Sequence, residues 1–255
     1  MSVFADYSRY YDLLYRDKNY VGESKYVAGL VRRHAPGTRT VMEMGCGTGL
    51  HAATMAGLGF DIAGVDMSEG MLESAEARRA ALDADIASRL RFVHGDARTV
   101  RLGQKFDAVI SLFHVMSYQT TNEDLAAAFQ TARDHLKPGG LFLFDCWYGP
   151  AVLRQWPKET EKHLKDDVID VTRKAEPEVY ANENVVDVNY TVHVTDKLTG
   201  DSETLRETHR MRYLFTPEVE MALEHAGMHL IDSKGWMTDE APGFGTWGAC
   251  FVARG

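Results

Sequence analysis

The chain has 255 residues, of which 45% are hydrophobic and 25% are charged, so it can bury one substantial core and is not expected to be disordered. Its formal net charge is -9, from 37 acidic and 28 basic residues, which argues against the basic field that attracts nucleic acid or an anionic membrane. We therefore expect a small-molecule partner, with no nucleic acid and no membrane.

Two further features bound the class of protein. No window reaches the roughly 20 apolar residues that cross a bilayer, and the first residues carry no signal-peptide pattern, so a cytoplasmic location is expected. The three cysteines, Cys46, Cys146 and Cys250, lie far apart and form no C-x-x-C pair. We therefore predict reduced thiols and neither a disulfide framework nor a structural zinc site.

The first two thirds of the chain alternates short apolar runs with helical patterns. Strands are predicted in the runs RTVMEMG, FDIAGVDMS, LRFVHGDA, KFDAVISLF and GLFLFDCW. Helices are predicted between them, and Ser68 is placed to cap one of these helices. The helix before the fifth strand has a single apolar stripe, formed by Leu125, Phe129, Ala132 and Leu136. Apolar strands joined by amphipathic helices predict a doubly wound, mostly parallel α/β sheet with helices on both faces.

The pattern changes after Tyr148. Residues 185–195 alternate apolar and polar side chains, and the run ETLRETHRMRYLF returns after a turn, which predicts an inserted antiparallel hairpin layer. The charged run KETEKHLKDD is interpreted as a solvated helix face. A helix starting at Thr216 and Pro217, followed by the runs MHLIDSKGW and GTWGACFVAR, predicts the closing elements of the main sheet.

These patterns divide the chain into three segments. Residues 1–148 hold N-terminal helices and the α/β core, which the motifs described below predict to bind a cofactor. Residues 149–215 form the inserted antiparallel segment, which is predicted to bind the second substrate, the acceptor, or to mediate oligomerisation. Residues 216–255 supply the closing helix and the last strands. Because an exposed hairpin can pair across a two-fold axis, a homodimer is a hypothesis for the assembly.

The loop after the first strand carries glycines at Gly45, Gly47 and Gly49. A dinucleotide fingerprint has its third glycine one residue later, and a phosphate-binding P-loop ends in a lysine that is missing here. Glu43 would repel a pyrophosphate but suits a cationic ligand. An amino-acid nucleoside with a cationic centre therefore fits this loop better than a dinucleotide.

Two aspartates extend this interpretation. Asp66 ends the second strand, where an acidic residue can accept hydrogen bonds from both hydroxyls of a ribose. Asp96 follows the third strand and can accept from an adenine amino group. The carboxyl ends of parallel strands meet at one edge of a sheet, so both are predicted to lie on the ligand side.

Five motifs in this order resemble those of the class I S-adenosylmethionine-dependent methyltransferases, over roughly residues 39–147: VMEMGCGTG, GVDMSEGML, VHGDA, FDAVISLF and LKPGGLFLFD. The resemblance implies a seven-stranded sheet whose last strand is antiparallel. It also implies a set of contacts with S-adenosylmethionine: the methionine part at Gly45 and Gly47, the ribose at Asp66 and Met67, the adenine at Asp96 and Ala97, and the amino group at the backbone of Leu112.

A looser resemblance concerns the acceptor. The runs YYDLLYRDKNY, SLFHVMSYQTT and DCWYGPAVL, followed by the inserted hairpin, look like bacterial methyltransferases that act on the amino group of nucleotide-linked deoxyamino sugars. Relatives that methylate hydroxyl groups of sugars or other metabolites share this outline, so O-methylation stays open. A nucleotide-dependent oxidoreductase and a non-catalytic cofactor-binding protein are the alternatives from other classes.

Methyl transfer from a sulfonium needs alignment and exclusion of water rather than a metal or a catalytic triad. An amine acceptor must also lose a proton before it attacks, and His114 and Tyr118, just past the fourth strand, are the candidates for a base or an orienting group. In the N-terminal helices, Tyr7, Tyr11 and Tyr15 share a face.

Aromatic rings supply the remaining candidates. A ring near the cationic methyl group would gain from a cation–π interaction, and Tyr11 is predicted for that role. Tyr20 is predicted at the polar end of the cofactor. Trp147 and Tyr148 follow the fifth strand and are predicted to form a wall for the acceptor.

Overall fold

The computed structural model describes residues 8–255, and Tyr7 lies outside the described residues. The helices are α1 (Ser8–Leu14), α2 (Tyr20–His34), α3 (Leu50–Gly57), α4 (Glu69–Ala80), α5 (Ala84–Ala87), α6 (Asn122–His135), α7 (Gly149–Arg154) and α8 (Thr216–His225), with a 3-10 turn at Val115–Tyr118. The strands are β1 (Thr40–Met44), β2 (Asp61–Asp66), β3 (Leu90–His94), β4 (Phe106–Ser111), β5 (Leu136–Tyr148), β6 (Thr160–Lys165), β7 (Ile169–Tyr180), β8 (Val185–Asp196), β9 (Ser202–Leu214), β10 (His229–Gly235) and β11 (Gly248–Arg254).

The core sheet has the strand order β3-β2-β1-β4-β5-β11-β10. Strands β1 to β5 are parallel, whereas β11 runs antiparallel to both β5 and β10. The predicted doubly wound sheet of seven strands with an antiparallel last strand is confirmed. Because β1 and β4 are neighbours while their chain connections leave in opposite directions, the carboxyl edge opens a crevice between them.

Helices cover both faces of this sheet because its strands are apolar on both sides. In β5, Phe142 and Phe144 pack toward α6 and α8, whereas Leu141 and Leu143 pack toward α2 and α3. Successive side chains of a strand point to opposite faces, so one apolar run supplies both layers. Each such buried side chain contributes about 1.5–3 kcal/mol to folding.

The inserted segment forms a second, antiparallel sheet in the order β9-β8-β7-β6. The predicted hairpin is confirmed as β8 and β9, and β7 and β6 extend it. A short parallel pairing, Trp147 with Tyr213 and Tyr148 with Leu214, joins β9 to the end of β5. The second sheet is thereby fixed beside the carboxyl edge of the core sheet.

The interpretation of KETEKHLKDD as a helix face is wrong, because its central residues form the edge strand β6. This strand is exposed at five of its six positions, so it shows no apolar alternation that would distinguish a strand from a solvated helix. Charged side chains on an edge strand also discourage pairing with other chains. Among residues 8–255, no helix combines the length and apolar character needed to cross a membrane.

Candidate active site

A cavity of about 350 Å³ lies at the carboxyl ends of β1, β2 and β4, between α1 and the inner face of β8 and β9. Its walls include twelve of the predicted site residues: Tyr11, Tyr20, Gly45, Gly47, Asp66, Met67, Asp96, Ala97, Leu112, His114, Tyr118 and Trp147. Glu43 and Tyr148 do not line the cavity. The second sheet adds Val188, Tyr190, His209 and Met211, which no sequence motif indicated.

The glycine loop is held in a conformation that suits only glycine. The φ angles of Gly45, Gly47 and Gly49 are 75°, 53° and 76°, all in the left-handed region. A Cβ atom at Gly45 would lie 2.4 Å from Cγ2 of Val115, whereas a Cβ atom at Gly47 would meet nothing within 4 Å. Gly47 therefore leaves its backbone open to the cavity that it lines.

Asp66 connects the end of β2 to this loop. Its Oδ2 accepts the backbone N–H of Gly47 at 2.8 Å, and its Oδ1 accepts the backbone N–H of Ser68 at 2.9 Å. Burial raises the pKa of Asp66, while these two N–H groups act in the opposite direction. Each carboxylate oxygen has a second lone pair, so the carboxylate can accept further hydrogen bonds from a diol.

Asp96 reaches the cavity as part of an ion pair. Arg98, which also lines the cavity, contacts Oδ2 of Asp96 through Nη2 at 2.6 Å and Oδ1 of Asp124 through Nη1 at 2.8 Å. The guanidinium of Arg98 holds the pKa of Asp96 below its usual value. Arg98 thus fixes the Asp96 carboxylate in its ionised form, and both carboxylate oxygens already accept hydrogen bonds from Arg98.

Glu43 lies one layer beneath the loop, and only 1% of its surface is exposed. It shares a face of β1 with Val41, because residues two apart on a strand point the same way, and that face packs on α2 and α3. Its Oε1 is 4.0 Å from Nδ1 of His51, whose Nε2 is 2.8 Å from Oε2 of Glu23. His51 lines the cavity, so it separates Glu43 from a ligand there.

Burial raises the pKa of Glu43 to about 8, and the nearby charge of Asp66 adds to this rise. Its Oε2 has no hydrogen-bond partner within residues 8–255. A neutral carboxyl group is therefore the favoured state of Glu43 over much of the pH range in which ordinary glutamates are ionised.

Trp147 and Tyr148 point to opposite sides of β5, so only one of them can face the cavity. Trp147 lines it. Tyr148 is buried in the core, and its hydroxyl lies 3.3 Å from Oγ1 of Thr216 at the start of α8. The predicted acceptor wall is thus reduced to Trp147.

His114 follows β4 and is held by Asp145 of β5. The Nδ1 atom of His114 is 2.7 Å from Oδ2 of Asp145, and the backbone N–H of His114 donates to the same carboxylate at 3.1 and 3.2 Å. Phe113 and His114 both have φ 65°, a region that non-glycine residues rarely adopt. Asp145 is 1% exposed, and no sequence motif indicated it as a partner of His114.

Tyr118 is tied to the second sheet. Its hydroxyl lies 2.7 Å from Nδ1 of His209, and Nε2 of His209 lies 3.3 Å from Oε2 of Glu207. Burial raises the pKa of Tyr118 well above its usual value, so the phenol is neutral. This chain of polar groups spans the boundary between the core sheet and the inserted sheet.

Aromatic rings from α1 cover the cavity. The rings of Tyr11 and Tyr15 have centroids 4.8 Å apart, and Tyr15 meets Phe113 edge to face at 4.9 Å. Arg173 donates to the Tyr15 hydroxyl at 3.3 Å and lies over the ring of Tyr190 at 4.6 Å, which links α1 to the second sheet. Burial raises the pKa of Tyr11, so its hydroxyl is neutral too.

Within the described part of the chain, no three His, Cys, Asp or Glu side chains are placed to hold a metal ion. Cys46, Cys146 and Cys250 are buried free thiols. The cavity therefore offers backbone groups of the glycine loop, two aspartates, an arginine, several phenols and one indole ring, together with the histidines His51, His114 and His209.

Comparisons with known proteins agree with this site. Residues 41–140 match the family model described as a methyltransferase domain. A dTDP-3-amino-3,4,6-trideoxy-alpha-D-glucopyranose N,N-dimethyltransferase of Streptomyces venezuelae is 37% identical over 148 residues, which are 57% of this chain and 59% of that relative. The matched part is thus less than two thirds of that relative's length.

Two similarities extend over most of the chain. A dTDP-3-amino-3,6-dideoxy-alpha-D-glucopyranose N,N-dimethyltransferase of Streptomyces fradiae is 28% identical over 235 residues, 88% of this chain and 86% of that relative. The structure of S-adenosylmethionine-bound CalS10, an amino pentose methyltransferase from Micromonospora echinaspora involved in calicheamicin biosynthesis, superposes with a TM-score of 0.73 at 25% identity, covering 96% and 95% of the two chains.

Fold, site and comparisons agree on one class: residues 41–140 match a methyltransferase domain, and the chain has the fold of S-adenosylmethionine-dependent methyltransferases. The class that the sequence motifs predicted is confirmed at the level of this domain and fold.

Proposed function

We propose that this protein transfers a methyl group from S-adenosylmethionine to the amino group of a nucleotide-linked deoxyamino sugar. The observation that carries the proposal is one cavity that is lined both by the glycine loop with Asp66 and by His114, Tyr118 and Trp147. Two of the similar proteins are named as N,N-dimethyltransferases of dTDP-linked 3-amino sugars, which supports the acceptor class.

The residues present fit the donor. Gly47 leaves open space where a side chain would intrude, and Asp66 keeps lone pairs for a ribose. In this proposal the parts of the donor are held by the following residues: the methionine part by Gly45 and Gly47, the ribose by Asp66 and Met67, the adenine by Asp96 and Ala97, the amino group by the backbone of Leu112, and the polar end by Tyr20. Glu43 acts on that end only indirectly, through His51.

S-adenosylmethionine supplies an electrophilic methyl group on a cationic sulfur, for which the ring of Tyr11 is a favourable neighbour. The chain's own residues align the acceptor and exclude water, which can contribute up to about 7–11 kcal/mol to the rate. An amino sugar enters as an ammonium group, which has no free lone pair. His114 accepts its proton, and Tyr118 orients the resulting amine.

The inserted segment, residues 149–215, supplies the acceptor side in this proposal, since Val188, Tyr190 and His209 line the cavity from the second sheet. Residues 1–148 supply the donor side and residues 216–255 complete the core sheet. A homodimer through the inserted segment and a cytoplasmic location stay predictions.

The test is a pair of matched acceptors. The protein is incubated with S-adenosylmethionine and either a dTDP-linked 3-amino deoxysugar or the same sugar with a hydroxyl in place of the amine, and the products are read by mass spectrometry. We expect one or two added methyl groups on the amine alone. Methylation of the hydroxyl analogue alone would make the protein an O-methyltransferase.

Two other outcomes correspond to the alternative classes. Binding of S-adenosylhomocysteine without turnover of any acceptor would favour a non-catalytic cofactor-binding protein. Binding of NADH, with no binding of S-adenosylhomocysteine, would favour an oxidoreductase.

A further inference from the structure

We infer that His209 of the inserted sheet is a positioning residue: it accepts the hydroxyl hydrogen of Tyr118, so that the phenol oxygen is presented as a hydrogen-bond acceptor to the amino group of the substrate. The inference rests on the proposed function, in which Tyr118 orients the amine. It adds to the site a residue of β9 that lies 91 residues after Tyr118 and that no sequence motif indicated.

His209 is held in place by its own strand and by the sheet around it. Only 4% of its surface is exposed, and it pairs in register with Val188 of β8. The ring of Tyr190 meets its imidazole edge to face at 4.9 Å. Further along β9, Tyr213 pairs with Trp147 of β5, which joins the strand of His209 to the core sheet. The imidazole therefore has a defined position in the wall of the cavity.

Glu207 determines which nitrogen of this imidazole carries the hydrogen. Residues two apart on a strand share a face, and Nε2 of His209 is hydrogen-bonded to Oε2 of Glu207 at 3.3 Å. Only 4% of the His209 side chain and 10% of the Glu207 side chain are exposed, so little water competes for this contact. An ionised carboxylate only accepts hydrogen bonds, so the neutral imidazole carries its hydrogen on Nε2 and a lone pair on Nδ1.

The lone pair on Nδ1 of His209 then orients the Tyr118 hydroxyl, which lies 2.7 Å away. A phenol both donates and accepts hydrogen bonds, and here its one hydrogen goes to Nδ1. Tyr118 lines the cavity, so toward a ligand there its oxygen acts as an acceptor.

This polarity suits an amine that must attack a methyl group. An amine that donates an N–H to the Tyr118 oxygen has the direction of its nitrogen lone pair fixed, and in-line attack requires such alignment. A hydroxyl that was not held by His209 would compete by donating its hydrogen to that lone pair, which blocks the attack. His209 thus acts on the acceptor through Tyr118.

The kinetic test removes the two partners singly and together. Tyr118→Phe and His209→Leu should each lower kcat/KM for a dTDP-linked 3-amino deoxysugar by about tenfold, as expected for one lost hydrogen bond. Because His209 acts through the Tyr118 hydroxyl, the double variant should lose no more than either single variant. A loss of about a hundredfold in the double variant would show independent effects and overturn the inference, as would a wild-type kcat/KM in His209→Leu.

Two further variants separate positioning from packing. His209→Asn places an amide oxygen near the position of Nδ1, where it can accept the Tyr118 hydrogen, so this variant should keep most of the wild-type kcat/KM. Activity as low as that of His209→Leu would contradict the positioning role. His193→Leu is the matched control, because Nδ1 of His193 is also 2.8 Å from a hydroxyl, that of Thr204, but His193 is exposed and does not line the cavity. It should keep the wild-type kcat/KM.

A spectroscopic readout needs no turnover. The hydrogen positions are read by ¹⁵N NMR of histidine-labelled protein saturated with S-adenosylhomocysteine, and either His209 variant identifies the resonances of His209. We expect a neutral ring with its hydrogen on Nε2, and a shifted Nδ1 resonance in Tyr118→Phe, where the hydrogen bond to Nδ1 is lost. A hydrogen on Nδ1 in the wild type, or an Nδ1 resonance that Tyr118→Phe leaves unchanged, would refute the inference.

The two proposals fail in different ways. If the wild type methylates no amino sugar, the proposed function fails, while the NMR measurement still decides whether His209 accepts the Tyr118 hydrogen. If the wild type methylates the amine but carries the hydrogen of His209 on Nδ1, the proposed function stands and the inference alone fails.

Discussion

Asp66 and Gly47 are joined by a hydrogen bond in which the loop amide donates to the carboxylate at 2.8 Å. The other oxygen of Asp66 accepts from Ser68, the N-cap of α4. A single carboxylate thus organises the two loops that follow β1 and β2. In the proposed complex it also accepts from the ribose, so it acts on the donor both directly and through the loop.

We therefore expect Asp66→Ala to weaken binding of S-adenosylhomocysteine by roughly tenfold or more, about 1.4 kcal/mol or more, as measured by calorimetry. Asp61→Ala serves as the control, because Asp61 begins the same strand and lies away from the cavity. Equal affinities for wild type and Asp66→Ala would refute the ribose assignment.

A second prediction separates backbone strain from ligand contact. Gly47 and Gly103 have φ 53° and 64°, and a Cβ atom would meet nothing within 4 Å at either position. Alanine at each should therefore lower the free energy of unfolding by about 1 kcal/mol. Only Gly47 lines the cavity, so Gly47→Ala alone should also weaken S-adenosylhomocysteine binding.

Urea unfolding measures the first effect and calorimetry the second. A loss of affinity in both variants, or in neither, would mean that the open side of Gly47 is not part of the donor site.

The core sheet could be predicted from the sequence because its strands are buried on both faces. Each strand therefore reads as a continuous apolar run, and glycines or aspartates mark the carboxyl ends of these runs. Because the carboxyl ends of parallel strands meet at one edge of the sheet, Gly47, Asp66 and Asp96 could be predicted to lie close together, although 49 residues separate the first from the last. Local patterns sufficed here, since each of these residues ends its own strand or follows it within three residues.

Partners across distant elements could not be predicted in this way. His209 lies 91 residues after Tyr118, and Asp145 lies 31 residues after His114, so neither pair belongs to a local motif. Glu43 and Tyr148 were predicted from their closeness to strand ends, but the alternation of side chains along a strand turns both away from the cavity. Which face a strand-end residue takes depends on the packing of the whole sheet.

The contact between Tyr118 and His209 leads to a third prediction. Tyr118→Phe removes the hydroxyl that lies 2.7 Å from Nδ1 of His209, in the part of the cavity proposed to hold the acceptor. We expect a lower kcat/KM for the amine acceptor, by about tenfold, for a loss of roughly 1–1.5 kcal/mol. The affinity for S-adenosylhomocysteine should not change.

Tyr148→Phe provides the matched control, because it removes the same group from a tyrosine that lies outside the cavity. It should keep wild-type kinetics. A comparable kinetic loss in both variants would indicate a general effect on stability rather than a role for Tyr118 at the acceptor.

The buried carboxyl group of Glu43 makes stability depend on pH in a direction opposite to that of most glutamates. Burial raises its pKa from 4.5 to about 8, so between these values the folded protein keeps a proton that the unfolded chain releases. The free energy of unfolding should therefore fall as pH rises through this window, by about 1.4 kcal/mol for each pH unit.

The variant Glu43→Gln cannot ionise at this position and should lose this contribution. Its stability relative to wild type should therefore rise with pH up to about 8. Urea unfolding of both proteins at the two ends of the window measures the difference, with the exposed Glu73→Gln as a control that keeps the wild-type dependence. Parallel stability curves for wild type and Glu43→Gln would show that Glu43 is ionised in the folded protein, paired with the nearby His51.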